Sequence, residues 1–422
     1  MIDQTDGSVP RIRFKGFGGV WEPKKLGRIY KERNERGNDS LPILSVSIHS
    51  GISSGELSSD ALGKKVRRSE NKSLYKRVQS GDLVLNMMRA WQGAVGVAKI
   101  EGMVSPAYIT ATPDDTVHPP FMDCGMRRPE VVVQMNKLSY GVTDFRKRLY
   151  WDSFIRIDFD IPSVLEQEKI ATYFDHLDIA ISLHQRKHEK LIALKRAASQ
   201  RMFPSLKKSA PDLRFKGFSR EWGEISIEDA MQNIANNSLS RADLNYSSGA
   251  AKNVHYGDVL VKFGEVLDAQ NDELPLITND AILEKVIPSR LRDGDIVMAD
   301  AAEDEAVGKC TELSNIGSQV VVAGLHTIAL RPKKPFAPYF LGYYLNSRAF
   351  HNQLLPIMQG TKVLSISKTA ISRLLIRFPT DEAEQRAIGA YFYNLDKLIR
   401  GHATQIQKLI QVKAACLDKM FV

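Results

Sequence analysis

Cysteine is scarce. Of 422 residues only Cys124, Cys310 and Cys416 are cysteines, and they are far apart. With no C-x-x-C pair, the sequence argues against a zinc ribbon or a disulfide framework and suits a reducing cytoplasm. No run approaches eighteen apolar residues, so no membrane span is expected. The opening MIDQTDGSVP has no basic segment followed by an apolar one, so no secretory signal is expected either. Catalytic signatures are missing too: no H-E-x-x-H, no Walker loop, no G-x-S-x-G. The Asn/Asp-Pro-Pro-Tyr/Phe tetrapeptide typical of adenine methyltransferases is also absent. No catalytic residue and no metal site is assigned, and a stand-alone enzyme is the least supported reading.

Acidic excess is missing as well, and the imbalance is one-sided. The net charge is +9, and residues 1–210 carry 34 Lys+Arg against 24 Asp+Glu. The remaining residues carry 24 against 25, so the basic excess lies wholly in the first half. A basic protein favours a polyanionic partner.

What is present is a duplication. Arg13-Phe14-Lys15-Gly16-Phe17 recurs as Arg214-Phe215-Lys216-Gly217-Phe218, and Trp21 recurs as Trp222. Further on, Glu166-Gln167 matches Glu384-Gln385, Tyr173-Phe174 matches Tyr391-Phe392, and Met202-Phe203 matches Met420-Phe421. A repeat near 200 residues is a domain duplication rather than a solenoid. The two middle stretches agree poorly.

Each copy ends in a helical pattern. Ser163 and Glu166 fit a capping box, with Asp381 and Glu384 in the second copy. Apolar positions then recur at spacings of four and three. The first seam runs through Ile170, Phe174, Leu177, Ile181 and Leu191, the second through Ile388, Phe392, Leu395, Ile399 and Leu409. That is the 3.5 period of a coiled coil. Lys195 and Lys413 are expected to snorkel from the seam edge. His184 and His188 have metal-ligand spacing, but the second helix has His402 and Ile406, which favours a polar layer. If the seams pair within one chain, the helices run antiparallel and the C-terminus arrives near Arg13. Phe14, Phe17 and Trp21 would pack that junction.

Residues 20–160 and 223–378 read as strand-rich mixed domains. Gly81-Asp82 and Gly294-Asp295 precede apolar β-branched runs, a turn-then-strand signal. Helices are expected at 121–138 and 339–350, and glycine loops at Gly141-Val142-Thr143 and Gly360-Thr361-Lys362. Basic residues in the first domain are candidate DNA contacts: Lys64, Lys65, Arg67, Arg68, Arg89, Arg146 and Lys147, with Trp91, Gln92 and Thr143. Arg and Gln can make paired hydrogen bonds to base edges, while Lys and Arg neutralise phosphates. A solvated surface is the competing explanation for each cluster. Second-domain candidates are Lys252, Lys262, Lys309, Thr361 and Lys362. The acidic stretch 268–305, including Glu303-Asp304-Glu305, is expected to face away from DNA or to meet a protein.

Two divergent domains, each opened by R-F-x-G-F…W and closed by P-x-x-x-E-Q plus a long helix, resemble the specificity (S) subunit of type I restriction-modification systems, the HsdS family. The resemblance covers nearly the whole chain. It implies an α+β fold: two mixed α/β target recognition domains (1–160 and 206–378) joined by two antiparallel helices (161–205 and 379–422). These helices form a coiled coil within a pseudo-two-fold repeat. It further implies a non-catalytic subunit that binds a bipartite, asymmetric target in double-stranded DNA. The helices would act as a ruler and as a platform for two methylation subunits. Those subunits bring S-adenosylmethionine, and up to two motor-nuclease subunits use ATP and magnesium. No cofactor would bind this chain itself, and a cytoplasmic location follows. A helix over 166–202 is ~55 Å long, roughly 16 base pairs of duplex. A methylation-only system and a coiled-coil scaffold that binds no DNA remain open.

Overall fold

Both Gly-Asp turns introduce strands, Leu83–Asn86 and Ile296–Ala299. The computed structural model describes residues 9–48, 51–54, 72–143, 146–205, 208–277 and 280–422. The chain divides into two units, Met1–His184 with Thr404–Val422, and Gln185–Ala403. Each unit is mixed α+β.

The first unit is built on an antiparallel sheet with strand order Tyr30–Glu32, Tyr108–Pro113, Leu83–Asn86, Val95–Val97. The second has Met231–Ile234, Thr327–Pro332, Ile296–Ala299 and Cys310–Ser314 in the same antiparallel order, extended by Val266–Asp268 in parallel. It also carries a further four-stranded sheet containing Ala251–Val254 and Val320–Ala323. The aspartate of each turn is buried and charge-paired. Asp82 accepts from the Gln79 amide (2.8 Å) and Arg33 Nε (2.6 Å). Asp295 accepts from the Arg292 amide (2.8 Å) and Arg331 Nη2 (2.6 Å). A buried carboxylate persists only when such donors replace its water.

The long helices span Val164–Met202 and Glu382–Lys419. Ile170, Phe174, Leu177 and Met420 belong to the first unit's core, with Trp21, Phe121 and Phe421. Ala198, Met202, Ile388, Phe392 and Leu395 belong to the second, with Trp222 and Phe340. Ile181, Leu191, Ile399 and Leu409 are half-buried. Within the first unit Tyr173 meets Cys416 and Asp178 meets Lys413, so the two helix segments run in opposite directions. Both seam lysines end in ion pairs, the Lys195 pair part-buried and the Lys413 pair exposed. Lys413 Nζ is 2.6 Å from Asp178, and Lys195 Nζ lies 2.7 Å from Asp396 and 2.8 Å from Glu265.

The repeated RFKGF segment is a clamp on the start of each long helix. Arg13 grips Glu166 through Nε and Nη2, both at 2.7 Å, and Arg214 grips Glu384 at 2.6 and 2.7 Å. The glutamate side chains are 2% and 0% exposed. These carboxylates, expected as capping-box members, are thus committed to the arginines. Gly16 and Gly217 both sit at φ 100° with no atom near a would-be Cβ, so glycine is required for backbone conformation and not for space. Phe14 packs edge-on against Tyr173 (5.9 Å), and Phe215 against Tyr391 (5.8 Å). The neighbouring glutamines staple the same corner. Gln167 binds the His118 amide and the Pro162 carbonyl, and Gln385 binds the Ala337 amide and the Pro379 carbonyl. In the first unit the Ile12 amide donates to the Lys419 carbonyl (2.9 Å), which brings the C-terminal end to the first RFKGF segment. Leu213 to Arg201 is the matching bond in the second (2.8 Å).

The helices expected at 121–138 and 339–350 are each broken in two. The first forms Pro119–Gly125 and Pro129–Leu138, where Pro129 starts a new helix because it cannot continue an old one. The second forms Phe340–Leu345 and Arg348–Leu354. Its entry is fixed by Glu312, whose buried carboxylate accepts from the amides of Tyr339 (2.6 Å) and Gly342 (2.8 Å).

Burial pushes the Glu312 carboxyl up to about 7 despite those donors. The folded state therefore keeps a proton that the unfolded chain loses in its ordinary carboxylate range. This contribution is full below that range and is lost as pH rises toward 7, a swing of up to ~3 kcal/mol. Urea unfolding at pH 5 to 8 should show Glu312→Gln gaining on the natural protein as pH rises. Parallel pH profiles for the two proteins would refute it.

Candidate nucleic-acid interface

In the first unit, shortly after the strand Leu83–Asn86, Ala90–Gln92 forms a single 3-10 turn. It closes at Gly93, whose φ of 91° lies in the left-handed region. Trp91 Nε1 donates to the Met88 carbonyl (2.9 Å), which fixes the indole on the turn. Lys147 reaches over the Trp91 ring at 5.8 Å and also binds Asn136 Oδ1. The turn and the glycine loop, separated by some fifty residues in sequence, thus form one surface. The loop is closed by reciprocal 3.0 Å bonds between Tyr140 and Arg148, and by stacking of Tyr140 on Tyr150. A side chain at Gly141 would strike the Arg146 carbonyl, so the loop needs glycine there. Arg89, Gln92, Thr143 and Arg146 are exposed, and Val142 at the loop tip is 89% exposed. Among the described residues, neither the Arg89 nor the Arg146 guanidinium has a hydrogen-bond or ion-pair partner, whereas Arg33 and Arg77 are tied to acids. Lys64, Lys65, Arg67 and Arg68 lie outside the described residues.

The second unit treats its candidates differently. Lys252 Nζ donates to the Ala269 carbonyl (2.6 Å). Lys262 pairs with Glu273 (3.0 Å) and lies over the Tyr246 ring. Lys309 donates to the Leu260 carbonyl (2.8 Å), and burial lowers its pKa. All three amino groups are engaged by their own domain. Thr361 and Lys362 remain exposed, on a loop closed by the Gln359 and Ser365 backbones (3.0 and 2.8 Å). Ala301–Ala302 pairs with Leu364–Ser365, so the exposed run Glu303-Asp304-Glu305 begins beside that loop. Nothing in composition separates a lysine that binds its own backbone from one that is free, because that depends on which carbonyl lies within reach.

The chain has the fold of a type I restriction-modification S subunit. The S subunit from M. genitalium superposes over 98% of this chain and 99% of its own, with a TM-score of 0.57 at 11% identity. An HsdS subunit from Thermoanaerobacter tengcongensis aligns over 95% and 96% (TM-score 0.47, 16% identical). A chain from a type I R-M system, solved for its complex assembly and conformational transition, aligns over 94% and 97% (0.49, 16% identical). No protein-family model and no curated protein matches the sequence. Within this chain both copies repeat the arginine clamp, the glutamine staple and the long helix. Among the described residues no helix is long and apolar enough to cross a membrane, and no group of three His, Cys, Asp or Glu is placed to hold a metal ion.

Proposed function

We propose that this chain is the DNA-recognition subunit of a type I restriction-modification complex, itself without catalytic residues. The observation that carries the proposal is the S-subunit fold over the whole chain, with the helix-start clamp built twice. Residues 1–160 and 206–378 act as target recognition domains. Residues 161–205 and 379–422 pair as an antiparallel coiled coil, giving a pseudo-two-fold molecule. The domains differ in charge and in their exposed side chains, so the DNA target is bipartite and asymmetric. In the first domain Arg89, Trp91, Gln92, Thr143, Arg146 and Lys147 meet DNA, the cations contacting phosphates or guanine edges. In the second, Thr361 and Lys362 do so.

Two methylation subunits dock on the helical platform and supply S-adenosylmethionine for adenine methylation. Up to two motor-nuclease subunits, using ATP and magnesium, add cleavage. The complex works in the cytoplasm. Co-expression with the methylation subunit of the same operon, followed by methyladenine mapping of host DNA, tests the proposal. A single split motif is expected, and exchange of residues 223–378 for another S subunit's domain changes one half of it only. A complex that forms but leaves no modified motif overturns DNA recognition in favour of a protein scaffold.

A further inference from the structure

We infer that His326 is a specificity-determining residue for the DNA half-site of the second domain, reading a base edge through Nε2. The inference rests on the DNA-recognition role proposed above. In the first unit Met87 follows the central strand. Its amide donates to the Ala107 carbonyl (3.1 Å), and its carbonyl accepts from Leu149 (2.9 Å). The next residues form the Arg89–Gln92 turn, which ends at left-handed Gly93. Asp300 has the same place in the second unit. Its amide donates to the His326 carbonyl (3.1 Å), and its carbonyl accepts from Ile366 (2.9 Å). The following turn ends at Gly308, φ 88°. These matching bonds put His326 where the first unit has Ala107. They put the loop around Thr361 where the first unit has the loop around Thr143.

The first unit's small, featureless alanine is therefore replaced by an imidazole on the corresponding face, and that imidazole is held in a defined pose. Asp300 Oδ1 lies 3.2 Å from Nδ1, and the ring packs edge-on against Tyr256 at 5.3 Å. The side chain is nevertheless 52% exposed. The backbone of His326 has φ 55°, a left-handed conformation that glycine adopts with less strain. With Nδ1 committed to Asp300, the other ring nitrogen, Nε2, is the atom left to meet a base edge. In the major groove it can accept from an adenine N6 or cytosine N4 amino group, or donate to guanine O6 or N7 when the ring is charged. The exposed run Glu303-Asp304-Glu305 belongs to the turn that follows Asp300, and its negative charge repels phosphate, so the face suits base edges rather than the backbone.

Methyladenine mapping of the co-expressed complex, with natural subunit, His326→Gly and His326→Asn, tests the inference. Glycine removes the ring while relieving the backbone, so thermal stability is expected to hold or rise. One position of the second half-site should lose its preference by about tenfold or more, with the first half-site unchanged. The asparagine variant, which can both donate and accept, should shift the preferred base at that position. An unchanged second half-site in a stable glycine variant overturns the role of His326. So does a uniform loss over all sites, the mark of a phosphate contact. If the natural complex shows no split motif, the DNA-recognition proposal falls first and the inference with it.

Discussion

Glu166→Ala should destabilise the first unit by about 3–5 kcal/mol, an effect far beyond that of an ordinary surface ion pair. The substitution leaves the Arg13 guanidinium, only 14% exposed, facing the hole of a buried carboxylate. Its remaining bonds run to the Gly18 and Gly19 carbonyls, which carry no compensating charge. Glu384→Ala should do the same to the second unit, where the glutamate is fully buried. The control is Asp212→Ala, whose partner Lys208 is 54% exposed and whose loss should cost below ~1 kcal/mol. Replacing both members of a clamp, as in Arg13→Met with Glu166→Leu, should cost much less than removing the glutamate alone, since no charge is then stranded. Denaturant unfolding of the four variants measures the difference. A Glu166→Ala cost no larger than the Asp212→Ala cost would show that the clamp does not hold the helix start.

That contrast also explains why RFKGF was visible in the sequence. A clamp of one arginine, one glycine in a left-handed turn and one buried glutamate admits few substitutes, so its residues coincide in both copies. The long helices were legible for a similar reason, since a seam that enters a core at both ends tolerates only apolar side chains there. Asp82 and Asp295 mark the opposite limit. Their role is identical, but the arginine comes from Arg33, just after one strand, in the first unit and from Arg331, within another strand, in the second. No spacing rule links an acid to a cation brought up by tertiary folding. The intradomain partners of the second domain's lysines were hidden for the same reason, and the pairing of Asp300 with His326 left no local signal at all. The seam lysines are an intermediate case. Their identity in both helices was plain, yet their aspartate partners lie on the facing helix and emerge only once the helices are paired.

Removing one heptad from each long helix, residues 184–190 and 402–408, should shorten the preferred DNA spacer. Seven residues are ~10.5 Å of helix, or about three base pairs at ~3.4 Å each. A heptad keeps the seam on nearly the same face, with a rotation of only about 20°. The ion pairs Lys195–Asp396 and Lys413–Asp178 lie outside both deleted stretches and keep their register. Removing the heptad from one helix alone sets the two pairs against each other and should cost the complex its assembly. DNA adds a constraint of its own, because three base pairs turn the groove by roughly a quarter to a third of the ~10 base-pair helical repeat. The domains must then swing to follow the groove, so methylation at the shortened spacer should be slower than at the natural one, while each half-site keeps its bases. Methyladenine mapping reads spacer and half-sites together. A deletion complex that assembles and still prefers the original spacer would mean that the distance between half-sites is set by the domains or the partner subunits, and the helices would then be a platform without being a ruler.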